Sequence, residues 1–338
     1  MTYLLLAAGL AALFLGGEGV VRGAVGIARR LEISPLLIGL TIVGFSTSSP
    51  ELLVCIQAAL DDRPAIALGN VVGSNICNIL LILGAGALIR SMPGAGGTIR
   101  RDAMMMLAGA LALGALAVGG VIDGWEGGAL LSALAAFLLL CLWQERRQSR
   151  TVNGLGESGD GETASEADDI GAVPTRLWLA LLLFAGGLVG LVFGARWLIE
   201  AAIELARQFE VSEATIGLSV VAVGTSLPEL ATVAVAAWRG QAELAIGNVV
   251  GSNIFNVFGI LGATAIVSPI AIDPRIVGTD LWIMLATSAL LVPILLLGWR
   301  LSRLHGAGFL AIYGLYVGWL FLAPPDARLI GSALATGG

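Results

Sequence analysis

The chain has 338 residues, 57% of them hydrophobic and only 12% charged, with a net charge of −6 and a mean hydropathy of +0.92. Soluble domains carry about 25% charged residues, so this composition excludes a soluble globular protein and implies an integral membrane protein. The acidic balance gives no reason to expect nucleic acid or an anionic surface as partner, and every basic residue is an arginine.

A membrane helix needs about 20 predominantly apolar residues. Such runs fall at 3–28, 35–60, 66–90, 102–122 and 127–143, and again at 176–205, 213–238, 244–270, 279–298 and 306–323. The first lacks a basic leading segment and a cleavage site, so it is expected to be a retained helix rather than a signal peptide. The interval 144–175, QERRQSRTVNGLGESGDGETASEADDIGAVPT, is polar and rich in Gly, Ser and acids. Such a stretch cannot bury enough apolar surface to fold alone and reads as a flexible linker. The expectation is an all-α integral membrane protein of ten transmembrane helices, five in 1–143 and five in 176–338. Cys55, Cys77 and Cys141 lie in apolar runs without metal-ligand spacing and are expected to be reduced packing residues.

The two halves repeat one pattern. Residues 31–84 align without a gap to 209–262 at a constant offset (229 − 51 = 178), and about half the positions are identical. ALGNVVGSNICNILLILG (67–84) matches AIGNVVGSNIFNVFGILG (245–262). Five spans per copy is an odd number, so the second copy must enter the membrane inverted. With the N-terminus outside, twelve loop arginines are cytoplasmic and only Arg63, Arg207, Arg275 and Arg328 are external. The positive-inside rule therefore predicts N-out with a cytoplasmic linker. Inverted repeats with interrupted hydrophobic segments are characteristic of secondary transporters.

The interruptions carry the chemistry. Proline in a helix lacks an N–H and displaces the carbonyl one turn back, so Pro50 and Pro228 free carbonyls around Ser46–Thr47 and Gly224–Thr225. At membrane depth bare backbone is tolerated only when buried in protein or lining a cavity. Glu51 and Glu229 follow the prolines, and a charged side chain at the bilayer centre costs about 2.5–3.5 kcal/mol. No Lys or Arg lies near them in the same segments. A divalent cation would balance the two carboxylates, and Ca²⁺ takes six to eight oxygens from carboxylates, carbonyls and water, which Glu51, Glu229 and the Thr47 and Thr225 carbonyls would help to supply. Ser74 and Asn78 stand four apart, as do Ser252 and Asn256, a spacing that puts hydroxyl and amide on one helix face. With Ser48 and Ser226 they form a set of uncharged oxygens suited to monovalent ions. One divalent ion or several monovalent ones competing for such a pocket is a physical basis for exchange.

Other positions read more plainly. Gly69, Gly73, Gly247 and Gly251 are expected to let helices approach. Asn70, Asn75, Asn248 and Asn253 are expected to bond backbone at helix breaks. Glu18 and Arg22, and in reversed order Arg196 and Glu200, are spaced for intrahelical ion pairs. Asp102 and Asp280 are expected at helix starts, and His305 has no assigned role. There is no HExxH or GxGD motif, so the chain is not expected to be an enzyme and needs no cofactor.

GFSTSSPEL (44–52) and GTSLPEL (224–230), each followed by GNVVGSN, resemble the two α-repeats of the calcium/cation antiporter superfamily, in particular prokaryotic sodium/calcium exchangers. The resemblance covers essentially the whole chain. It implies a pocket lined by the second, third, seventh and eighth helices, with broken helices near the midplane. Calcium would be held by Glu51 and Glu229 with the Thr47 and Thr225 carbonyls. Sodium would use Ser48, Ser74, Ser226, Ser252, the two carboxylates, and carbonyls at Gly44 and Ala222. It further implies that the first and sixth helices slide as a gating pair. Asn256 stands where some prokaryotic relatives carry Asp, and GNVVG replaces the GNxxE of proton/calcium relatives. The expected function is Na⁺/Ca²⁺ antiport by alternating access in the cell membrane; the alternative is H⁺/Ca²⁺ antiport with the Glu pair carrying protons. The expected partners are Ca²⁺, Na⁺ and the bilayer, with no obligatory protein partner.

Overall fold

The structure, a computed structural model, describes residues 2–92, 97–154, 173–174, 176–208, 224–272 and 276–322. These residues are almost wholly helical. The helices are α1 (Thr2–Leu31), α2 (Pro35–Thr47), α3 (Ser49–Leu60), α4 (Pro64–Ile89), α5 (Gly97–Ala117) and α6 (Gly124–Gly154). They continue with α7 (Leu177–Gln208), α8 (Leu227–Trp238), α9 (Ala242–Val267), α10 (Leu281–Leu296) and α11 (Arg303–Leu322). Among the described residues, six helices are long and apolar enough to cross a membrane, or seven if α2 and α3 count as one broken span. The helices at 97–117, 227–238 and 303–322 overlap three further expected spans, 102–122, 213–238 and 306–323. Helix α6 runs on to Gly154, past the expected end of its apolar run, and 155–172 of the linker lie outside the described residues.

Local chemistry explains the helix ends. Ser34 caps α2 by accepting from Leu37 N–H at 3.3 Å, and Pro35 occupies the first turn, where its missing N–H costs nothing. Ser34 N–H in turn donates to Glu145 Oε1 at 2.5 Å. Arg29 and Arg30 close the last turn of α1, where cations complement the carbonyl end of the helix.

Among the described residues, four stretches wind as π-helix: Gly39–Val43 in α2, Asn78–Leu83 in α4, Phe255–Leu261 in α9 and Ile276–Asp280 ahead of α10. Such widened turns are rare and frequent at functional sites. The first three flank or contain the polar motifs, and sequence periodicity gave no warning of them.

By contacts the chain forms two compact units, each drawing on both sequence halves. The first comprises Met1–Thr47 and Ala136–Val249. In it α1 and α7 pack along much of their length, and α8 packs on both. A Cβ on Gly187 would lie 2.5 Å from Val20 N and 2.7 Å from Gly16 O, so the α1–α7 approach requires glycine there. Glu18 and Arg22 form the expected ion pair at 2.5 Å. Arg239, at the end of α8, also grips Glu18 with both Nε and Nη2, a contact between helices that the spacing rule did not anticipate.

The second unit comprises Ser48–Ala135 and Val250–Gly338. Here α3 packs on α4 and on the π-helical part of α9, α5 packs on α10, and α11 packs on the end of α4. Two short strands, β1 (Val121–Ile122) and β2 (Ile270–Ala271), pair antiparallel with Val121 opposite Ala271. Asp102 lies inside α5 rather than at its start, buried and ion-paired to Arg101 at 2.5 Å. Asp280 closes the π-turn just before α10 and accepts from Tyr316 Oη at 3.1 Å. All three cysteines are free and buried.

Candidate functional site

The helix breaks fall at Ser48 and at Thr225–Ser226. Ser48 has φ −86° and ψ 7°, and Ser226 has φ −90° and ψ 7°. That is the sparsely populated bridge region in which many active-site residues sit. The two repeats therefore break in the same way, each with a proline in the first turn of the helix that follows. Glu51 and Glu229 lie in those first turns, and each is only 2% exposed. A helix N-terminus favours a carboxylate by about 0.3–1 kcal/mol. This offsets only part of the 2.5–3.5 kcal/mol typical of a charge at membrane depth.

In the first unit, Gly44, Thr47, Ser226 and Glu229 are buried and Thr225 is half-buried. Thr47 Oγ1 donates along its own helix to Val43 O at 3.0 Å and lies 3.3 Å from both Gly44 O and Asn248 Oδ1. Gly44 opens the helical turn that follows the first π-stretch. Helices α2 and α9 meet here closely: a Cβ on Gly247 would sit 2.5 Å from Leu36 O. The expected packing role holds for Gly247, whereas a Cβ on Gly73 would meet nothing within 4 Å. Ala222 lies outside the described residues.

In the second unit, Ser48, Glu51, Ser74, Asn78, Ser252 and Asn256 are all buried. Helix α3, which carries Glu51, packs on the helix of Ser74 and on the π-stretch of Asn256. Asn78 is the first residue of the π-stretch in α4, and its N–H reaches back to Ser74 O. The amides of the two repeats cross. Asn78 Nδ2 donates to Asn253 Oδ1 at 3.0 Å, and Asn256 Nδ2 donates to Asn75 Oδ1 at 3.1 Å. Asn75 and Asn253 were expected on backbone. Asn253 Nδ2 does lie 3.4 Å from Asn75 O, but the side-chain oxygens of both receive amides from the opposite repeat. Asn70 donates to Cys55 Sγ at 3.2 Å.

Sequence reasoning missed the amide-to-amide contacts of Asn75 and Asn253 and the two methionines that touch them, Met284 at 3.5 Å from Asn75 Nδ2 and Met106 at 3.6 Å from Asn253 Nδ2. The signal was available, because 284 − 106 = 178 is the repeat offset. Among the described residues no group of three or more His, Cys, Asp or Glu gathers for a metal.

Comparison with known proteins gives a consistent result. The profile of the family described as "Sodium/calcium exchanger protein" matches residues 1–143 and 179–322. The inner membrane protein YrbG of Escherichia coli (strain K12) is 34% identical, over 94% of this chain and 94% of its own length. The sodium/calcium exchanger MaX1 of Methanosarcina acetivorans is 30% identical, over 95% of this chain and 99% of its own. A solved structure of the sodium-calcium exchanger NCX_Mj, soaked with Na⁺ and Sr²⁺, aligns with a TM-score of 0.77 at 27% identity, covering 94% of this chain and 97% of that one.

Proposed function

The chain belongs to the sodium/calcium exchanger protein family, and from that premise we propose that it is a secondary active antiporter moving Ca²⁺ against Na⁺ by alternating access. The family and fold are those of multi-span membrane transporters, not of enzymes. The observation that carries the reading is the duplicated break: Ser48 and Ser226 in matching backbone geometry, each leading into a short helix whose first turn buries a glutamate.

In this reading Glu51 and Glu229 are both required for Ca²⁺, with the Thr47 and Thr225 carbonyls as further ligands. Ser48, Ser74, Ser226 and Ser252, with carbonyls at Gly44 and Ala222, serve Na⁺. Asn78 and Asn256 contribute amide oxygens; Asn78 Oδ1 and Asn256 Oδ1 are buried and have no hydrogen-bond partner among the described residues, which leaves each as an acceptor. The ten spans form two inverted five-helix repeats, 1–143 and 176–338, around a cytoplasmic linker. The N-terminus lies outside, as the arginine distribution supports. Ca²⁺ and Na⁺ are cargo, and no cofactor is needed.

The test is ⁴⁵Ca²⁺ uptake into proteoliposomes under an outward Na⁺, H⁺ or K⁺ gradient. Uptake with Na⁺ alone is the expected result. Uptake with H⁺ alone would transfer coupling to protonation of the glutamates and overturn the sodium assignment. Absence of uptake under all three gradients would overturn calcium as the cargo.

A further inference from the structure

A side-chain amide can be turned end for end with almost no change of shape, yet its two ends have opposite polarity. A cation needs the oxygen end. For Asn78 and Asn256 something must therefore decide which end is presented, and the second unit contains an arrangement that does so.

Asn253 Nδ2 lies 3.4 Å from the backbone oxygen of Asn75 and 3.6 Å from Met106 Sδ. A carbonyl and a thioether both accept and cannot donate, so this end of Asn253 has to be its NH₂. Its oxygen then faces Asn78, which must offer its own NH₂ across 3.0 Å. The Asn78 oxygen is the end left over. The second arm repeats the logic. Met284 Sδ, 3.5 Å from Asn75 Nδ2, fixes the NH₂ of Asn75; the Asn75 oxygen then accepts from Asn256 at 3.1 Å, and the Asn256 oxygen is left over. Turning either site amide would set oxygen against oxygen. The four asparagines are buried, with Asn78 2% and Asn256 1% exposed, so water does not scramble the order. The arms are one arm used twice: 253 − 75, 256 − 78 and 284 − 106 all equal 178.

We propose that Asn75 and Asn253 are positioning residues that fix the polarity of the site amides, Asn253 through Asn78 and Asn75 through Asn256, with Met284 and Met106 as the acceptors that set the sense of each chain. This rests on the reading of Asn78 and Asn256 as cation ligands. Groups that orient metal ligands typically change affinity by about 10–100-fold when removed. One uncharged ligand among several places the effect near the lower end, about 10-fold.

The test is Ca²⁺ binding to the full chain purified in detergent, followed by titration calorimetry, which does not depend on the coupling ion. Asn253→Ala should weaken Ca²⁺ binding about 10-fold. Combined with Asn78→Ala it should add nothing further, because the residue it positions is already gone; combined with Asn256→Ala the two losses should multiply. A purely structural role for Asn253 would lower affinity by the same factor in both backgrounds, and that result overturns the proposal. So does wild-type affinity in Asn253→Ala when Asn78→Ala is weakened. Wild-type affinity in Asn78→Ala would instead remove that amide as a ligand, and the inference with it. Should Asn253→Ala not yield folded protein, Asn75→Ala carries the same test with the two partners exchanged.

Discussion

Replacing Glu229 with glutamine separates stability from function. The side chain is buried at the start of α8, and glutamine keeps its shape while removing its charge. A charge at membrane depth costs about 2.5–3.5 kcal/mol, of which the helix N-terminus returns about 0.3–1 kcal/mol. In the absence of cations Glu229→Gln should therefore raise stability, by at most about 3 kcal/mol, because other contacts of Glu229 offset part of the same cost. The wild-type protein should gain about 2.7 kcal/mol when Ca²⁺ is raised to about 100 times its Kd, and the variant should gain almost nothing. The assay is thermal unfolding in detergent with chelator and with saturating Ca²⁺, beside ⁴⁵Ca²⁺ uptake. The expected pattern is a higher Tm in chelator, no shift with Ca²⁺ and no transport. A variant less stable in chelator that keeps its Ca²⁺-dependent shift would refute the reasoning, because the carboxylate would then be a structural hydrogen-bonding group.

Three further outcomes are expected. Ser74→Ala and Ser252→Ala should raise the Na⁺ concentration needed for half-maximal exchange several-fold while changing the Ca²⁺ requirement less; equal changes in both would count against separate sodium ligands. Gly187→Val places carbon against the backbone of α1, where Val20 N and Gly16 O cannot yield, and should destabilise by about 1–3 kcal/mol or more. Gly186→Ala is its control, since a Cβ there meets nothing within 4 Å, and unfolding temperatures should separate the two. Arg239→Gln removes the charged hydrogen bonds to Glu18 and should cost about 1.5–3 kcal/mol, while the Arg22–Glu18 pair within α1 stays formed. An unchanged unfolding temperature would show that the interhelical pair contributes little.

Much was legible in the chain itself. Hydropathy located the long apolar helices because the bilayer forces every backbone group to bond within its own segment; among the described residues six or seven are long and apolar enough to cross. The 178-residue offset paired Glu51 with Glu229 and Ser74 with Ser252, and proline chemistry located both breaks to within about a residue. What a linear reading could not supply was the partner of each group. It expected Glu18 to bond only Arg22, four residues away, and missed Arg239. It sent Asn75 and Asn253 to backbone, which holds for the Asn253 NH₂, but it did not show that their oxygens receive Asn256 and Asn78. It gave no sign of the π-helical turns. Local spacing rules describe one helix at a time, whereas these contacts join residues brought together only when helices pack. The sequence by itself determined which polar groups enter the membrane and that they do so twice. The tertiary structure alone decided which of their donors and acceptors meet, and so which oxygens of Asn78 and Asn256 are left without a hydrogen bond among the described residues.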